Sequence, residues 1–134
     1  MHETNLIFAW VWIAVGLLAG AVQGMGFHRE DWMGGYASWR RRLTRLGHIA
    51  FLGTAAINLA FAFTVQLFDV SHSLLAWISP LLIIGAVAMP VVCYLSAWRQ
   101  SFRHLFFIPV LALIGGVGLF ACVLLAGIAA GASP

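Results

Sequence analysis

Residues 38–48 read SWRRRLTRLGH and lead directly into a long apolar segment. Most of the chain's basic residues lie in this stretch: Arg40, Arg41, Arg42 and Arg45. Ser38 is a preferred N-cap residue, so the stretch predicts a helix that begins among lipid headgroups and enters the hydrocarbon near Leu46. The orientation in a membrane and the candidate site are both inferred from this segment.

The composition is typical of an integral membrane protein. Of the 134 residues, 63% are hydrophobic and 8% are charged, whereas soluble domains are about one-quarter charged. A helix needs about 20 apolar residues to cross a bilayer, so the length allows four spans with short connections. We therefore predict one all-α domain over residues 1–134, an integral membrane four-helix bundle. Its spans are expected at residues 6–25, 46–68, 74–98 and 105–128, the first being a retained helix because no basic region precedes it.

The arginines predict the topology. All of them lie in two loops, residues 27–45 and 99–104, which connect the first span to the second and the third to the fourth. These two loops emerge on the same side, and the positive-inside rule places that side in the cytoplasm. Both termini are then expected on the non-cytoplasmic side, and the expected location is a bacterial inner membrane.

The net charge of +3 does not indicate nucleic acid, because the arginines flank apolar spans and do not form a polar face. Anionic lipid in the bilayer is the expected partner of Arg40, Arg41, Arg42 and Arg45. The alternatives are an acidic protein partner or the anionic groups of a cofactor.

Small residues repeat in the first span as Gly16, Gly20 and Gly24. They lie on one helix face and allow close approach of a second helix, since packing contact drives helix association in lipid. We favour packing within the chain, with self-association or docking of another subunit left open.

Polar residues form a stripe on the second span. His48, Ala55, Ala62 and Gln66 share one face, with Asn58 beside them. Polar groups in a bilayer tend to face protein, so this stripe is expected to face the bundle interior. The middle of every span lacks an acidic or basic residue, which disfavours an ion-coupled transporter.

Two histidines lie at similar depth near the arginines. His48 and His104 each follow an arginine closely and are expected within about 5 Å of the interface. Imidazoles on two helices are suitable axial ligands for haem b, with arginines beside them for the propionates. The alternative is that both are interfacial hydrogen-bonding residues, and no separate metal site is predicted.

Three functional hypotheses follow. No P-loop, dinucleotide or zinc-protease motif occurs, so we first expect a non-catalytic accessory or assembly subunit of a larger respiratory or electron-transfer complex. It would contact other membrane protein subunits or a second copy of this chain. The second hypothesis is a single-haem b-type cytochrome that uses His48 and His104. The third is a small homo-oligomeric transporter with a path along Asn58 and Gln66.

Overall fold

The computed structural model describes residues 2–70 and 72–131, and their regular elements are all helical. Four long helices are long and apolar enough to cross a membrane. They are α1 (His2–Gly24), α2 (Trp39–Leu67), α3 (Leu75–Trp98) and α4 (Phe107–Gly131). The predicted all-α architecture is therefore confirmed, with four helices long and apolar enough for the predicted spans. The predicted domain also includes residues 1, 71 and 132–134, which lie outside the described residues.

Two short 3-10 helices lie in the arginine-containing connections. Trp32–Gly34 precedes α2, and Gln100–Phe106 precedes α4. The fourth α-helix thus begins two residues later than predicted, with Pro109 in its first turn, where the missing backbone N–H costs no hydrogen bond. Helix α1 begins earlier than predicted, and Glu3 in its first turn interacts favourably with the helix dipole.

The helices pack in chain order, α1 on α2, α2 on α3 and α3 on α4. Within the described residues, the backbone of α1 approaches that of α3 at a few positions and that of α4 at none, so the bundle is open. The apolar segments of α1 and α4 are 17% and 22% buried, against 39% and 44% for α2 and α3. Helices α1 and α4 are thus edge helices with mostly apolar, exposed surfaces, as expected for lipid contact.

The main core lies between α2, α3 and α4. Its buried members are Phe61, Val65, Leu75, Ile78, Leu82 and Val123. Glycines bring α3 and α4 close together, since a Cβ added at Gly85 would meet Leu113 and one added at Gly116 would meet Leu82. Close approach through small residues is the usual basis of helix packing in lipid.

Two of the three glycines predicted to form a packing face on α1 contact α2. A Cβ added at Gly16 would lie 2.7 Å from Cβ of Phe51, and one added at Gly20 would overlap the imidazole of His48. Nothing lies within 4 Å of a Cβ added at Gly24. The close-packing face is therefore formed by Gly16 and Gly20 and is used within the chain.

Hydrogen bonds connect the helix ends near the arginines. Nε1 of Trp39, the first residue of α2, donates to the backbone oxygen of Ser96 near the end of α3 at 3.1 Å. Nε2 of Gln23, near the end of α1, donates to the Tyr94 hydroxyl at 2.6 Å. The end of the bundle that contains these contacts and both arginine-containing connections is called the arginine end below.

Candidate functional site

The predicted N-cap at Ser38 is confirmed. Its Oγ accepts a hydrogen bond from the backbone N–H of Arg41 at 3.2 Å and donates to the backbone oxygen of Met33 at 2.7 Å. The preceding turn contains Gly34 and Gly35, which adopt φ values of 86° and 87° that glycine tolerates best. The cap and this turn place the start of α2, and with it the arginine cluster, against the connection from α1.

Arg41 is buried at the arginine end, with 7% of its surface exposed. Its guanidinium carbon lies 5.3, 5.7 and 5.4 Å from the ring centroids of Phe27, Trp32 and Tyr36. Nη1 donates to the backbone oxygen of Glu30 at 3.4 Å, whereas the buried Nε has no partner among the described residues. Arg41 therefore orders the connection between α1 and α2 through cation–π contacts, while Arg40 and Arg42 are exposed.

Arg45 lies one turn further along α2 and also stacks on an aromatic residue. Its guanidinium carbon is 4.3 Å from the ring centroid of Tyr36. The one ion pair among the described residues joins the exposed side chains of Arg29 and Asp31 at 3.9 Å. Arg41 and Arg45 thus have aromatic neighbours and no carboxylate partner in the part of the chain that the structure describes.

A groove runs between α1 and α2 at this end of the bundle, with a volume of about 400 Å³. It is lined by Leu17, Gly20, Gln23, Phe27, Arg45, His48 and Ile49. These seven residues are called the α1–α2 groove below. They provide a cation, an imidazole and an amide at the end of an apolar surface, and include neither a carboxylate nor a hydroxyl. This chemistry suits binding of an anionic or hydrogen-bonding group attached to an apolar chain.

His48 is half-buried between α1 and α2, where its ring fills the space beside Gly20. Its Nδ1 is buried and has no hydrogen-bond partner among the described residues. His104 is exposed on the 3-10 helix Gln100–Phe106, an element that packs on α3 and α4. Within the described residues no Cα atom of this element lies within 8 Å of a Cα atom of α2. Axial ligands on opposite sides of a haem do not need neighbouring backbones, so haem ligation by His48 and His104 stays a prediction. No group of three or more His, Cys, Asp or Glu side chains suited to a metal ion occurs within 2–70 and 72–131.

A second polar cluster connects three helices away from the arginine end. Nδ2 of Asn5 donates to Oδ1 of Asn58 at 2.7 Å, and Oγ of Ser79 donates to Oδ1 of Asn5. Nδ2 of Asn58 donates to the backbone oxygens of Thr54 at 2.9 Å and Leu82 at 3.4 Å. Asn5 and Asn58 are fully buried and Ser79 is 5% exposed. The amide of Asn58 is therefore occupied by structural hydrogen bonds, as buried polar groups in lipid require.

The predicted polar stripe of α2 is buried at Ala55, Asn58 and Ala62, whereas Gln66 is exposed. The stripe thus faces the other helices in the middle of α2 and is exposed near the end of α2. This arrangement gives no continuous polar path from Asn58 to Gln66 along the buried face.

Sequence reasoning missed several groups around the candidate site. It did not predict the hydrogen bond between Gln23 and Tyr94, which joins α1 to α3. It also did not predict that Asn58 lies in one cluster with Asn5 and Ser79. The aromatic residues that surround Arg41 were also missed, although a signal existed. Phe27, Trp32 and Tyr36 crowd the short connection next to an arginine cluster, a pattern that favours cation–π stacking.

Comparison of the chain with protein-family models, with curated proteins and with solved structures gave no match. The function is therefore inferred from the chain's own residues and their geometry.

Proposed function

We propose that the protein is a non-catalytic accessory or assembly subunit of a larger inner-membrane complex, of the respiratory or electron-transfer type, and that α4 contacts the partner. The arginine end faces the cytoplasm in this proposal, as the positive-inside rule favours. The observation that carries the proposal is a face of small residues on an edge helix, described next.

The exposed face of α4 contains the small residues Gly118, Cys122 and Ala129, which are spaced by four and seven residues and so lie on one side of the helix. The large residues Leu111, Ile114 and Leu125 lie on the same side and are 64%, 66% and 67% exposed. Nothing lies within 4 Å of a Cβ added at Gly118. In contrast, Gly116 on the same helix packs tightly on Leu82 of α3. The face thus has a gap at Gly118 between large apolar side chains, and it lacks a neighbouring helix within the described chain. A gap of this kind permits close approach of a partner helix in lipid.

Helix α1 is less suited to this role. Its close-packing glycines, Gly16 and Gly20, already contact Phe51 and His48 of α2. Helix α4 is therefore the edge helix whose small-residue face supports docking of a separate subunit.

Site-specific photo-crosslinking in native membranes tests the proposal. A benzophenone amino acid placed at Cys122 is expected to give one dominant adduct with a different integral membrane protein, and that protein should co-purify in gentle detergent. The matched control is the same substitution at Val117, which is exposed on the same helix about 7.5 Å further along the axis and points about 140° away. Little adduct is expected there. Gly118→Leu should reduce co-purification because the larger side chain prevents close approach.

Two results would contradict the proposal. One is a protein that runs as a lone monomer in gentle detergent and gives no adduct at position 122. The other is an adduct formed with a second copy of this chain alone, which would favour the homo-oligomeric transporter.

A further inference from the structure

We infer that the α1–α2 groove is a binding site for one anionic phospholipid, with its phosphate at Arg45 and His48 and an acyl chain along Leu17 and Ile49. The inference is independent of the proposed role of α4, because every residue of the site lies on α1, on α2 or at Phe27 between them.

The groove has a polar end and an apolar end. Arg45 lies in the arginine-rich first turns of α2, at the depth of lipid headgroups, and His48 follows within one turn. Leu17 and Ile49 line the apolar part and are 60% and 61% exposed. The groove therefore opens sideways to the hydrocarbon, where a lipid enters without leaving the bilayer. Its volume of about 400 Å³ lies within the range of roughly 300–1,000 Å³ typical of small-molecule sites.

The charges favour an anionic occupant. Arg45 lines the groove, and Arg41 lies behind it, with its guanidinium 5.3 Å from the centroid of Phe27, another groove residue. Neither arginine pairs with a carboxylate among the described residues. A phosphate would accept charge-assisted hydrogen bonds and also neutralise this positive potential, whereas a neutral headgroup such as a quinone ring would accept hydrogen bonds without neutralising it.

The side chains of the site are held in position before any ligand binds. Tyr36 contacts the guanidinium groups of both Arg41 and Arg45, at 5.4 and 4.3 Å. The ring of His48 packs against Gly20 and its Nδ1 is buried, so a hydrogen bond from this imidazole to a phosphate in the groove would come from Nε2. Preorganised donors lose less conformational entropy on binding, which favours one specific site over diffuse attraction.

A specific site differs from general attraction between a basic surface and anionic lipid in how the arginines contribute. General attraction depends on net charge, so any arginine near the interface contributes about equally. A site in the groove depends on Arg45 far more than on Arg42, which is exposed, does not line the groove and lies less than one turn away. The variants Arg45→Gln and Arg42→Gln have the same net charge and form a matched pair.

Native mass spectrometry of the full chain released from detergent micelles measures this difference. With phosphatidylglycerol in the micelles, the wild type should retain one lipid, whereas phosphatidylcholine should be lost under the same activation. Arg45→Gln should weaken phosphatidylglycerol binding about tenfold, the size expected for one lost hydrogen bond to a charged group. Arg42→Gln should change it less than about twofold. Ile49→Trp, which fills the apolar end and keeps every arginine, should also weaken binding.

The outcomes that overturn the inference are distinct. Equal effects of Arg45→Gln and Arg42→Gln would show general electrostatic attraction. Displacement of the lipid by millimolar inorganic phosphate would show a site for a soluble anion. Retention of added ubiquinone in preference to phosphatidylglycerol would show a quinone site. Circular dichroism of each variant shows whether the helices are retained, and Ile49→Trp provides a second test if Arg45→Gln does not fold.

Discussion

The imidazole of His48 occupies the space into which a side chain at position 20 would project. A Cβ added at Gly20 would lie 2.9 Å from Nε2 and 3.1 Å from Nδ1 of His48 and would overlap the carbon between them. Helix α1 therefore packs close to α2 at this level because residue 20 has no side chain. Gly20 and His48 are a coupled pair, and the glycine face of α1 and the polar stripe of α2 meet at this contact.

Alanine substitutions along the glycine face should have graded effects. Gly16→Ala should lower the free energy of unfolding by roughly 1–3 kcal/mol, because the new methyl meets Cβ of Phe51 at 2.7 Å and that atom moves only with the backbone. Gly20→Ala should cost less, since the atoms that the new methyl meets are the far end of the His48 side chain and not a Cβ fixed to the backbone. Gly24→Ala should lie within about 0.5 kcal/mol of wild type, because nothing lies within 4 Å of the added methyl. Denaturation in mixed micelles, followed by circular dichroism, measures all three.

The coupling between positions 20 and 48 has its own check. In a His48→Ala background the cost of Gly20→Ala should largely disappear, because the atoms that overlap the new methyl are gone. An undiminished cost in that background would contradict the contact described here.

The spans and the cap of α2 could be predicted from the sequence because their signals are local. A run of apolar residues has one stable arrangement in a bilayer, and Ser38 before the arginine stretch is a standard helix start. The separation of His48 and His104 could not be predicted, because it depends on which helices become neighbours. Helix rotation and packing order are set by side-chain contacts between segments far apart in the chain.

The polar contacts also include a part that the sequence predicts and a part that depends on helix packing. Asn58 was recognised as a buried amide because it lies in the middle of a span. Asn5, which donates to Asn58, is 53 residues before it, and Ser79, which donates to Asn5, is 21 residues after it. Each lies near the start of a helix, where polar residues are common. A sequence pattern on one helix therefore predicts that a polar group needs a partner but does not identify the partner.

Asn58→Leu should destabilise the fold by about 1–2 kcal/mol, because it leaves the buried amide of Asn5 without its shortest acceptor. Gln66→Leu on the same helix is the control, and its effect should be within about 0.5 kcal/mol because Gln66 is exposed. The double variant Asn5→Leu with Asn58→Leu should cost less than the sum of the single changes. Additive costs measured by the same denaturation would show that the two amides do not interact.

Arg41→Gln should loosen the connection between α1 and α2, whereas Arg40→Gln should not. The first change removes a guanidinium that contacts three aromatic rings, each contact contributing about 0.5–2 kcal/mol, and the second changes an exposed side chain. Chymotrypsin cleaves after aromatic residues, so the rate of cleavage at Trp32 and Tyr36 reports the order of the connection. Arg41→Lys should give an intermediate rate, because it keeps the charge but lacks the planar group that stacks on rings. Equal rates for the Arg40 and Arg41 variants would contradict the stacking role.

The proposed membrane topology predicts which connections between helices a reagent outside the cell can reach. Ser73, between α2 and α3, and Ser101, between α3 and α4, are both exposed and lie in connections at opposite ends of α3. In a background with Cys93→Ala and Cys122→Ala, a membrane-impermeant maleimide should label Ser73→Cys in intact spheroplasts. It should label Ser101→Cys only after permeabilisation, because the proposed topology has the arginine-containing connections in the cytoplasm. The two substitutions replace the same residue type by the same thiol, so a difference in labelling reports the side of the membrane. The reverse pattern would place the arginine end outside and contradict the proposed topology, and labelling of both sites in intact spheroplasts would contradict a membrane-spanning α3.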